Sequence, residues 1–369
     1  MGQTLIIGAG AAGLAAGSTL EAAGQAVTLL EARNRLGGRV WTDRSFSNFP
    51  IENGAEFIHG DRALTWQWVR ELGAETIPVP KFSSYAYEQD GTLYRYEDVI
   101  TWPDLPRVFG LEDQELATID PLAADRSLQT WLSQLGLTPQ AQRIGAHLLA
   151  NLYLAAPEHL GVADWAHEMR VHHAGTGNFR LRDGYDHVLH HLAQGLTIHQ
   201  QTAVQSVRWD VTPLEIRAIA QGQPVLYTAD QVVITVPLAL LQQQTIDFTP
   251  ALPTAKQQAI QALRMGPAVK LQLAFRECFW EPEVSLYMGL GTVPVWWSPS
   301  YQRPDAHPVL TAFVGGARAL ALNAVSEAEA LQLAVADLCR LFGSDRPRQD
   351  LVKGRRISWI DDPWTRGGL

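Results

Sequence analysis

TLIIGAGAAGLAAGSTLEAAGQAVTLLEARNRLGGRVWT, which spans residues 4–42, is the stretch that decides the fold of this 369-residue chain. The apolar run at residues 5–7 predicts a short, fully buried parallel strand. Gly8, Gly10 and Gly13 then form the pattern G-x-G-x-x-G. In a nucleotide-binding strand–helix–strand unit, such glycines make the tight turn, admit a pyrophosphate and let the helix pack closely on the strand.

The residues after these glycines continue the same unit. Alanine and leucine dominate residues 11–23, so this segment predicts a helix that Gly24 ends. A second apolar strand is expected at residues 26–30. Glu31 stands 18 residues after Gly13, where such units place the acceptor for ribose hydroxyls. This order of elements favours a nucleotide site over an ordinary glycine-rich turn.

Composition limits the classes of protein to which the chain can belong. Hydrophobic residues make up 46% and charged residues 18% of the chain, which is typical of a globular protein, and the length suffices for two domains. The net charge of −9 argues against non-specific binding to nucleic acid or to an anionic membrane. Cys278 and Cys339 cannot form a disulfide framework and indicate a reducing, cytoplasmic location. No Lys or Arg precedes Arg33, so we do not interpret the N-terminus as a signal peptide.

Residues 31–42 distinguish between nucleotides. They read E-A-R-x-R-x-G-G-R-x-x-T, which places a glycine pair between arginines and adds backbone N–H groups and cations near a pyrophosphate. This run resembles the flavin-dependent amine oxidase family, which includes monoamine oxidases, polyamine oxidases and flavin histone demethylases. The resemblance implies FAD rather than NAD as the cofactor. The motif and the resemblance together predict FAD contacts at Gly8, Gly10, Ala11, Ala12, Gly13, Glu31, Ala32, Arg33, Gly37, Gly38 and Arg39.

A second family segment follows at residues 51–60, which read IENGAEFIHG. It resembles the family's E-x-G-A-x-x-x-x-G stretch, which passes in front of the flavin ring. The resemblance implies FAD contacts at Gly54, Ala55, Glu56 and Phe57. It also implies that His59 faces the substrate, as in animal-type polyamine oxidases, whereas the residues alone favour a loop histidine with a satisfied hydrogen bond. Glu56 is the other candidate for the substrate, as an acceptor for an ammonium group.

The strand expected at residues 268–275 carries the candidate catalytic residue, Lys270. Apolar residues alternate there with Lys270 and Gln272, and on this pattern alone Lys270 would be an ordinary solvent-facing lysine. The surrounding segment, RMGPAVKLQLAFRECFW, resembles the family strand that bears the active-site lysine. In the family this lysine holds a water that bridges to flavin N5. The resemblance therefore implies a catalytic role for Lys270.

The end of the chain, residues 359–369, resembles the family's W-x-x-x-P-W-x-x-G-G stretch. The resemblance places Trp359 near the flavin and, earlier in the chain, the backbone of Val204 against the adenine. Monoamine oxidases attach their flavin to a cysteine where Gly368 stands here, so we expect non-covalent FAD. The family pattern continues past Leu369 with further FAD-contacting segments, so this chain is expected to hold FAD loosely.

The predicted fold class is α/β, with a Rossmann-like FAD-binding domain and a discontinuous substrate domain of mixed sheet plus helices. We expect residues 1–80, 181–250 and 345–369 in the FAD-binding domain, and residues 81–180 and 251–344 in the substrate-binding domain. Local patterns predict helical structure over residues 61–80 with a break at Pro78 and Pro80, a hairpin at Asp90-Gly91, and mostly helical structure over residues 112–170 with caps at Ser127 and Thr138. They also predict hairpin strands at residues 207–219 and 224–229 and a helix at residues 254–264.

Histidines are concentrated in one part of the chain, since eight of the 11 lie between His159 and His199. His167-Glu168 begins like the zinc motif H-E-x-x-H, but Val171 stands where the second histidine is required and His172 comes one residue later. His187 and His191 have helical i,i+4 spacing without an evident cysteine or carboxylate partner. We therefore expect a polar helix face and no metal.

These features predict FAD-dependent oxidation of an amine, either a primary amine or a polyamine, to an imine, with oxygen reduced to hydrogen peroxide. The expected partners are a small-molecule amine and molecular oxygen, without nucleic acid or membrane, and the oligomeric state stays open. One alternative is an L-amino-acid oxidase or a desaturase on the same scaffold, with Arg62 as the cation near enough to hold a substrate carboxylate. The other alternative is a truncated, non-catalytic flavoprotein.

Replacing Glu31 by alanine should weaken the retention of FAD. A hydrogen bond to a charged acceptor contributes roughly 1.5–3 kcal/mol, so Glu31→Ala should lower the affinity for FAD about ten- to a hundredfold. The measurement is flavin occupancy by absorbance after extensive dialysis. Unchanged occupancy would contradict the assignment of Glu31 to the ribose.

Overall fold

The computed structural model describes residues 2–81, 83–120, 122, 124–171 and 174–368. His172 and Leu369, which the sequence analysis named, lie outside the described residues. The strands, in chain order, are β1 (Gln3–Ile7), β2 (Ala26–Leu30), β3 (Thr42–Asp43), β4 (Ile51–Glu52), β5 (Ile58–His59), β6 (Thr76–Val79), β7 (Tyr85–Gln89), β8 (Thr92–Arg95), β9 (Asn178–Leu181), β10 (Thr197–His199), β11 (Thr202–Arg208), β12 (Leu214–Ala220), β13 (Gln223–Ala229), β14 (Gln231–Ile234), β15 (Asp247–Thr249), β16 (Ala268–Phe275), β17 (Leu286–Met288), β18 (Val295–Trp297), β19 (Val309–Gly315) and β20 (Leu351–Ser358).

The helices connect and cover these strands. In chain order they are α1 (Ala11–Ala22), α2 (Thr65–Leu72), α3 (Tyr96–Val99), α4 (Leu105–Gly110), α5 (Leu128–Gln134), α6 (Pro139–Leu152), α7 (Val162–Val171), α8 (Asp186–Leu192), α9 (Leu238–Gln242), α10 (Thr254–Ala262), α11 (Gly316–Ala324), α12 (Glu327–Leu341) and α13 (Arg346–Gln349). A π-helical turn at Leu111–Glu115 and a 3₁₀ turn at Leu116–Thr118 follow α4.

A four-stranded parallel sheet has the order β10-β2-β1-β14 and contains the predicted strand–helix–strand unit. Gly8 leaves β1 with φ of +103°, a conformation that glycine adopts without strain. Helix α1 then packs so closely on this turn that a Cβ atom on Gly13 would lie 2.0 Å from the carbonyl oxygen of Gly8. The predicted roles of these two glycines, and the α/β class of the fold, are confirmed.

A seven-stranded mixed sheet has the order β20-β16-β19-β18-β17-β7-β8. Strand β16 is antiparallel to both of its neighbours, β20 and β19. Its apolar residues pack against α11 and α12, whereas Ala274, on the opposite side, packs against Phe46 and Ile51. All eight residues of β16 are therefore buried, and the solvent-facing alternative for Lys270 is wrong.

Three smaller sheets complete the strand pairing, with the orders β13-β12-β11-β15, β5-β9-β6 and β3-β4. Strand β9 pairs with both β5 and β6 and so holds the residue 58–59 segment beside residues 76–79. The seven-stranded sheet includes β20, which lies within residues 345–369 that we assigned to the FAD-binding domain. The last part of the chain thus contributes to the sheet of the expected substrate domain, and the domain boundaries stay a prediction.

Most local predictions are confirmed. The hairpin β7–β8 turns at Asp90 and Gly91, whose φ angles are +51° and +79°. Ser127 caps α5 by accepting from the Thr130 amide, and Thr138 caps α6 by accepting from the Ala141 amide. Each cap supplies an acceptor for an amide that the helix itself leaves unpaired.

Three local predictions are wrong in extent. The helix within residues 61–80 is limited to α2, and Pro78 lies inside β6, an edge strand where a missing N–H is tolerated. The strand predicted at residues 207–219 is divided between β11 and β12 by a turn that contains Pro213. Helix α10 ends at Ala262, before Arg264. Among the described residues, none of the helices combines the length and the apolar character that crossing a membrane requires.

Glu52, at the end of β4, is a buried carboxyl group in the junction between β3 and α8. It accepts a hydrogen bond from the Thr42 hydroxyl at 2.9 Å and another from the Tyr185 amide at 2.8 Å. Burial raises the pKa of Glu52 from 4.5 to about 7, although these two hydrogen bonds oppose the shift. The folded protein therefore binds this proton more tightly than the unfolded chain does.

Replacing Gly13 by alanine should destabilise the protein, because the new Cβ atom meets backbone, which cannot move aside. Alanine improves helix propensity by about 1 kcal/mol, but forcing α1 off the Gly8 turn should cost more, about 1–3 kcal/mol net. Gly17→Ala is the matched control in the same helix, since its Cβ atom would meet side-chain methyl groups rather than backbone, those of Leu196, Leu29 and Ile6 at 3.0, 3.1 and 3.6 Å. Urea unfolding of both variants tests this difference, and equal midpoints would refute it.

Replacing Glu52 by glutamine should remove part of the pH dependence of stability. Because its folded pKa is raised, the Glu52 contribution is fully present below pH 4.5, is lost as pH rises, and is gone above about pH 7. The loss amounts to roughly 3 kcal/mol. The measurement is the free energy of unfolding of wild type and Glu52→Gln between pH 5 and pH 8, with the exposed Glu21→Gln as control. Parallel pH curves for wild type and Glu52→Gln would refute the prediction.

Candidate active site

A cavity of about 290 Å³ lies at the carboxyl ends of β1 and β2. Open parallel sheets bind nucleotides at this edge. Of the residues predicted to contact FAD, those that line the cavity are Gly8, Gly10, Ala11, Ala12, Glu31, Ala32, Arg33, Gly37, Gly38, Arg39 and Val204. Gly13 lies behind them in the contact between α1 and β1.

The start of α1 and the glycine pair form a cradle for phosphates. Gly10 caps α1 without a side-chain hydrogen bond, and the first turn carries no acidic residue, so the helix N-terminus is open to an anion. Gly37 and Gly38 have φ angles of +100° and +57° and approach the backbone of Gly10. A Cβ atom added to Gly38 would lie 3.4 Å from the Cα atom of Gly10 and would narrow the gap between the two backbone segments. This arrangement fits a pyrophosphate.

Glu31 is 6% exposed and has both carboxylate oxygens held by backbone. Oε2 accepts from the Ala9 amide at 2.8 Å, and Oε1 accepts from the Arg33 amide at 2.9 Å. Each oxygen can accept a further hydrogen bond, because a carboxylate has about four acceptor positions, and Glu31 lines the cavity. Glu31 therefore fits the predicted role of acceptor for ribose hydroxyls.

The arginines of the loop after β2 connect the cradle to the end of the described chain. Arg33 pairs with both oxygens of Asp362, at 2.7 and 2.5 Å, and Arg39 donates to the carbonyl oxygen of Gly368 at 2.7 Å. Arg35 donates to three carbonyl oxygens of its own loop, and burial, followed by the charge of Arg33, lowers its pKa to about 10. These cations shape the loop in addition to any contact with phosphates.

Part of the cavity lining was missed in the sequence analysis. These residues come from the start of β11, from α9 and the segment after it, and from the C-terminal segment: Thr202, Leu240, Thr245, Ile246, Trp364 and Thr365. Thr235, Val236 and Pro237 also line the cavity, and they end the stretch 231–237, which the family resemblance already implied to lie beside the dinucleotide. For the segment after β14 a signal existed, since a parallel strand beside β1 brings its carboxyl end to the same edge. Trp364 and Thr365 carry no local signal of this kind.

The predicted flavin-facing segment, residues 54–57, is held together with Asn53 directly against the cradle. A Cβ atom on Gly54 would lie 1.9 Å from the carbonyl oxygen of Arg39, and the Ala55 amide donates to that oxygen at 3.0 Å. Trp359 is buried and donates from Nε1 to the Asn53 carbonyl at 2.9 Å. Trp359 thus supports this segment, and its position near the flavin stays a prediction.

Lys270 is buried beneath the same segment. Its Nζ donates to the carbonyl oxygens of Gly54 at 2.7 Å and Glu52 at 3.0 Å, and to the Glu56 carboxylate at 3.3 Å. Nζ also lies 5.0 Å from the centre of the Trp297 ring. Burial lowers the pKa of Lys270, and the neighbouring Glu56 and Glu52 oppose that effect. Lys270 therefore lies where its charge can act on a group placed against residues 53–57.

Glu56 is turned toward the protein interior rather than toward solvent. Its Oε1 pairs with Arg180 Nε at 2.9 Å, and its Oε2 accepts from Trp297 Nε1 at 2.9 Å in addition to Lys270. Arg180 is itself buried, with its guanidinium 4.7 Å from the centre of the Phe57 ring. Glu56 thus has two cationic partners already, which leaves little of its charge for a substrate ammonium group.

His59, at the exposed end of β5, is linked to the same cluster through aromatic rings. Its Nδ1 lies 2.8 Å from the Asn178 amide oxygen, and its ring centre lies 5.9 Å from that of Phe57. Phe57 in turn packs edge-on against Trp297, with ring centres 5.6 Å apart. The role of His59 toward a substrate stays a prediction.

One of the clustered histidines, His191 of α8, has a carboxylate partner that the sequence analysis did not identify. His191 bonds through Nε2 to the Glu71 carboxylate at 2.9 Å, which joins α8 to α2. Within the described part of the chain, no group of three or more His, Cys, Asp or Glu side chains has an arrangement that could hold a metal ion.

Known proteins resemble this chain in both sequence and structure. The family of flavin containing amine oxidoreductases matches residues 11–369. Polyamine oxidase 5 of Oryza sativa subsp. japonica is 30% identical and is matched over 99% of this chain and 76% of its own length. Lysine-specific histone demethylase 2 of Homo sapiens is 28% identical over 99% of this chain. The chain spans about half, 46%, of the length of that human relative.

Solved structures share the fold at lower identity. Wild-type putrescine oxidase bound to putrescine superposes with a TM-score of 0.82 at 23% identity, covering 100% of this chain and 87% of the other. Cyclohexylamine oxidase from Brevibacterium oxydans IH-35A gives a TM-score of 0.80 at 21% identity, covering 100% of this chain and 86% of the other. The cradle, the Glu31 acceptor and the family match agree, so this chain belongs to the flavin containing amine oxidoreductase family and its cofactor is FAD.

Proposed function

We propose that this protein oxidises a primary amine or a polyamine to an imine and passes the electrons to oxygen, which gives hydrogen peroxide. The observation that carries the proposal is the buried Lys270 ammonium, hydrogen-bonded to the carbonyl oxygens of Glu52 and Gly54 at the start of the flavin-facing segment. A buried cation at this position can stabilise negative charge that develops on a neighbouring group. Bound FAD would supply the acceptor for a hydride from the carbon next to the amine nitrogen.

The chain's own residues would contribute position, charge and exclusion of water. The cradle and Glu31 would bind the dinucleotide, and Trp359 with the Lys270 hydrogen bonds would keep residues 53–57 in place. Around Lys270, Trp297 and Phe313 pack with ring centres 5.7 Å apart and restrict access of water. The imine would leave this dry region and hydrolyse in solvent.

An amine is a better substrate proposal than an amino acid. Arg62, on which the amino-acid oxidase alternative depends, is exposed. We place the substrate near His59 and Phe57, with FAD held non-covalently because Gly368 offers no attachment point. We also propose a cytoplasmic location, which suits Cys278 and Cys339, both free thiols.

A peroxide-coupled screen of the purified protein tests this function. Monoamines, polyamines and amino acids are offered separately, with bound flavin quantified in the same preparation. Turnover of at least one amine, with flavin bleaching under anaerobic conditions, is the expected result. A flavin-loaded protein that turns over none of the amines would support the non-catalytic alternative instead.

Replacing Lys270 by methionine should slow the reaction without loss of FAD, because the cradle and Glu31 lie elsewhere. Methionine removes the charge and the donors, so flavin reduction or reoxidation should slow by at least ~10-fold, about 1.4 kcal/mol of barrier. Stopped-flow absorbance measures both half-reactions. Lys353→Met is the matched control, since Lys353 is an exposed lysine on β20 of the same sheet. Two half-reactions as fast as in wild type would show that Lys270 has no catalytic role.

A further inference from the structure

The acidic residue beside Lys270 is held in a cluster of four side chains, which we call the Glu56 cluster: Glu56, Arg180, Trp297 and Lys270. The side chains of Glu56, Arg180 and Lys270 are each 5% exposed. Arg180 comes from β9, Lys270 from β16 and Trp297 from β18. Three separate strands therefore converge on one carboxylate.

The Lys270 ammonium has no unused donor in this arrangement. It has three N–H groups, and two of them point to the carbonyl oxygens of Glu52 and Gly54 while the third points to Glu56. The two carbonyls fix the position of Nζ against the flavin-facing segment but carry no net charge. Glu56 is the partner that compensates the charge.

The other charged groups around Lys270 do not replace Glu56. Arg180 is a second buried cation and opposes the Lys270 charge. The carboxyl group of Glu52, with its pKa raised to about 7, is only partly ionised near neutral pH. Arg355, on the neighbouring strand β20, is engaged by Asp43 and by the amide oxygens of Gln272 and Asn53. Without Glu56, two buried cations would face each other, which is strongly unfavourable.

Arg180 and Trp297 fix the Glu56 carboxylate in turn. Arg180 binds Oε1 and is itself anchored through Nη1 to the Ser298 carbonyl at 2.9 Å. Trp297 donates to Oε2, the oxygen that also meets Lys270. The carboxylate is thereby held in place with Oε2 directed at Nζ.

We propose that Glu56 is a positioning residue, fixed by Arg180 and Trp297, that keeps Lys270 protonated and seated against the flavin-facing segment. This inference rests on the proposed function, in which Lys270 acts on the flavin. It assigns to Glu56 a task inside the protein, in place of the substrate contact that the sequence suggested. Neither the Arg180 partner nor the Trp297 partner was expected from the sequence.

Sulfite is a suitable probe because it reports charge near the flavin without amine turnover. Its sulfur lone pair forms a bond to N5 of oxidised flavin, and the ring takes up the resulting negative charge, so a nearby cation strengthens binding. The experiment measures the sulfite dissociation constant of the FAD-loaded protein across pH for wild type, Glu56→Gln, Lys270→Met and the double variant. Ionisation of sulfite itself affects all four proteins equally and cancels in the ratios.

Wild type should lose sulfite affinity in a step at the pH where Lys270 deprotonates. In Glu56→Gln this step should move down by at least about one pH unit, because an opposite charge at this distance shifts a pKa by about 1–3 units. Lys270→Met should bind sulfite at least about tenfold more weakly at neutral pH and show no step. The double variant should match Lys270→Met, because Glu56 acts through Lys270.

A step at the same pH in wild type and Glu56→Gln would overturn the proposal, as would a step that survives in Lys270→Met.

Arg180→Lys, which keeps the cation, should leave the step within about half a pH unit of wild type if Arg180 acts by charge. If Glu56→Gln does not fold, Trp297→Phe, which removes one donor to Glu56, should move the step in the same direction. Amine turnover of wild type is recorded separately, so a step that moves as expected without turnover would reject the proposed function alone. A wild-type protein that takes up no FAD would overturn both.

Discussion

Three hydrogen bonds from one buried ammonium hold the centre of this molecule together. Lys270 belongs to β16 of the seven-stranded sheet, and its acceptors belong to the segment that leaves the cradle of the parallel sheet. A buried ammonium is stable only where acceptors and an opposite charge surround it. The positions of residues 52–56, of β9 and of β18 are therefore mutually dependent, and none of them can be set independently of Lys270.

The parts of the fold that sequence reasoning predicted well are those determined by neighbours in the chain. Strand β1, the turn at Gly8, helix α1 and strand β2 occupy 28 consecutive residues, from 3 to 30. Gly8, with its positive φ, and Gly13, against the Gly8 carbonyl, each meet a requirement that only glycine fulfils. The caps at Ser127 and Thr138 likewise depend on residues three positions away. Errors arose where tertiary pairing overrode the local pattern, as at Thr76 and Ile77, which were expected to be helical but pair with β9 as part of β6.

The candidate site was predicted in its residues and only partly in its geometry. Glu56 and Lys270 were both named, yet they are separated by 214 positions, and Trp297 is 241 positions from Glu56. Alternation along β16 indicated two faces, but sequence alone did not show that the second face packs against residues 46–54. The raised pKa of Glu52 depends on burial in a three-element junction, which no local pattern reports.

The close approach of Gly54 to the Arg39 carbonyl has a consequence for ligand binding as a whole. That contact, together with the Ala55 hydrogen bond to the same oxygen, packs the backbone of the flavin-facing segment directly against the phosphate cradle. Binding free energies at two coupled sites are reciprocal and do not simply add. Because one carbonyl oxygen supports both parts, a substitution at Arg39 or Gly54 that displaces it would disturb the phosphate cradle and the flavin-facing segment together.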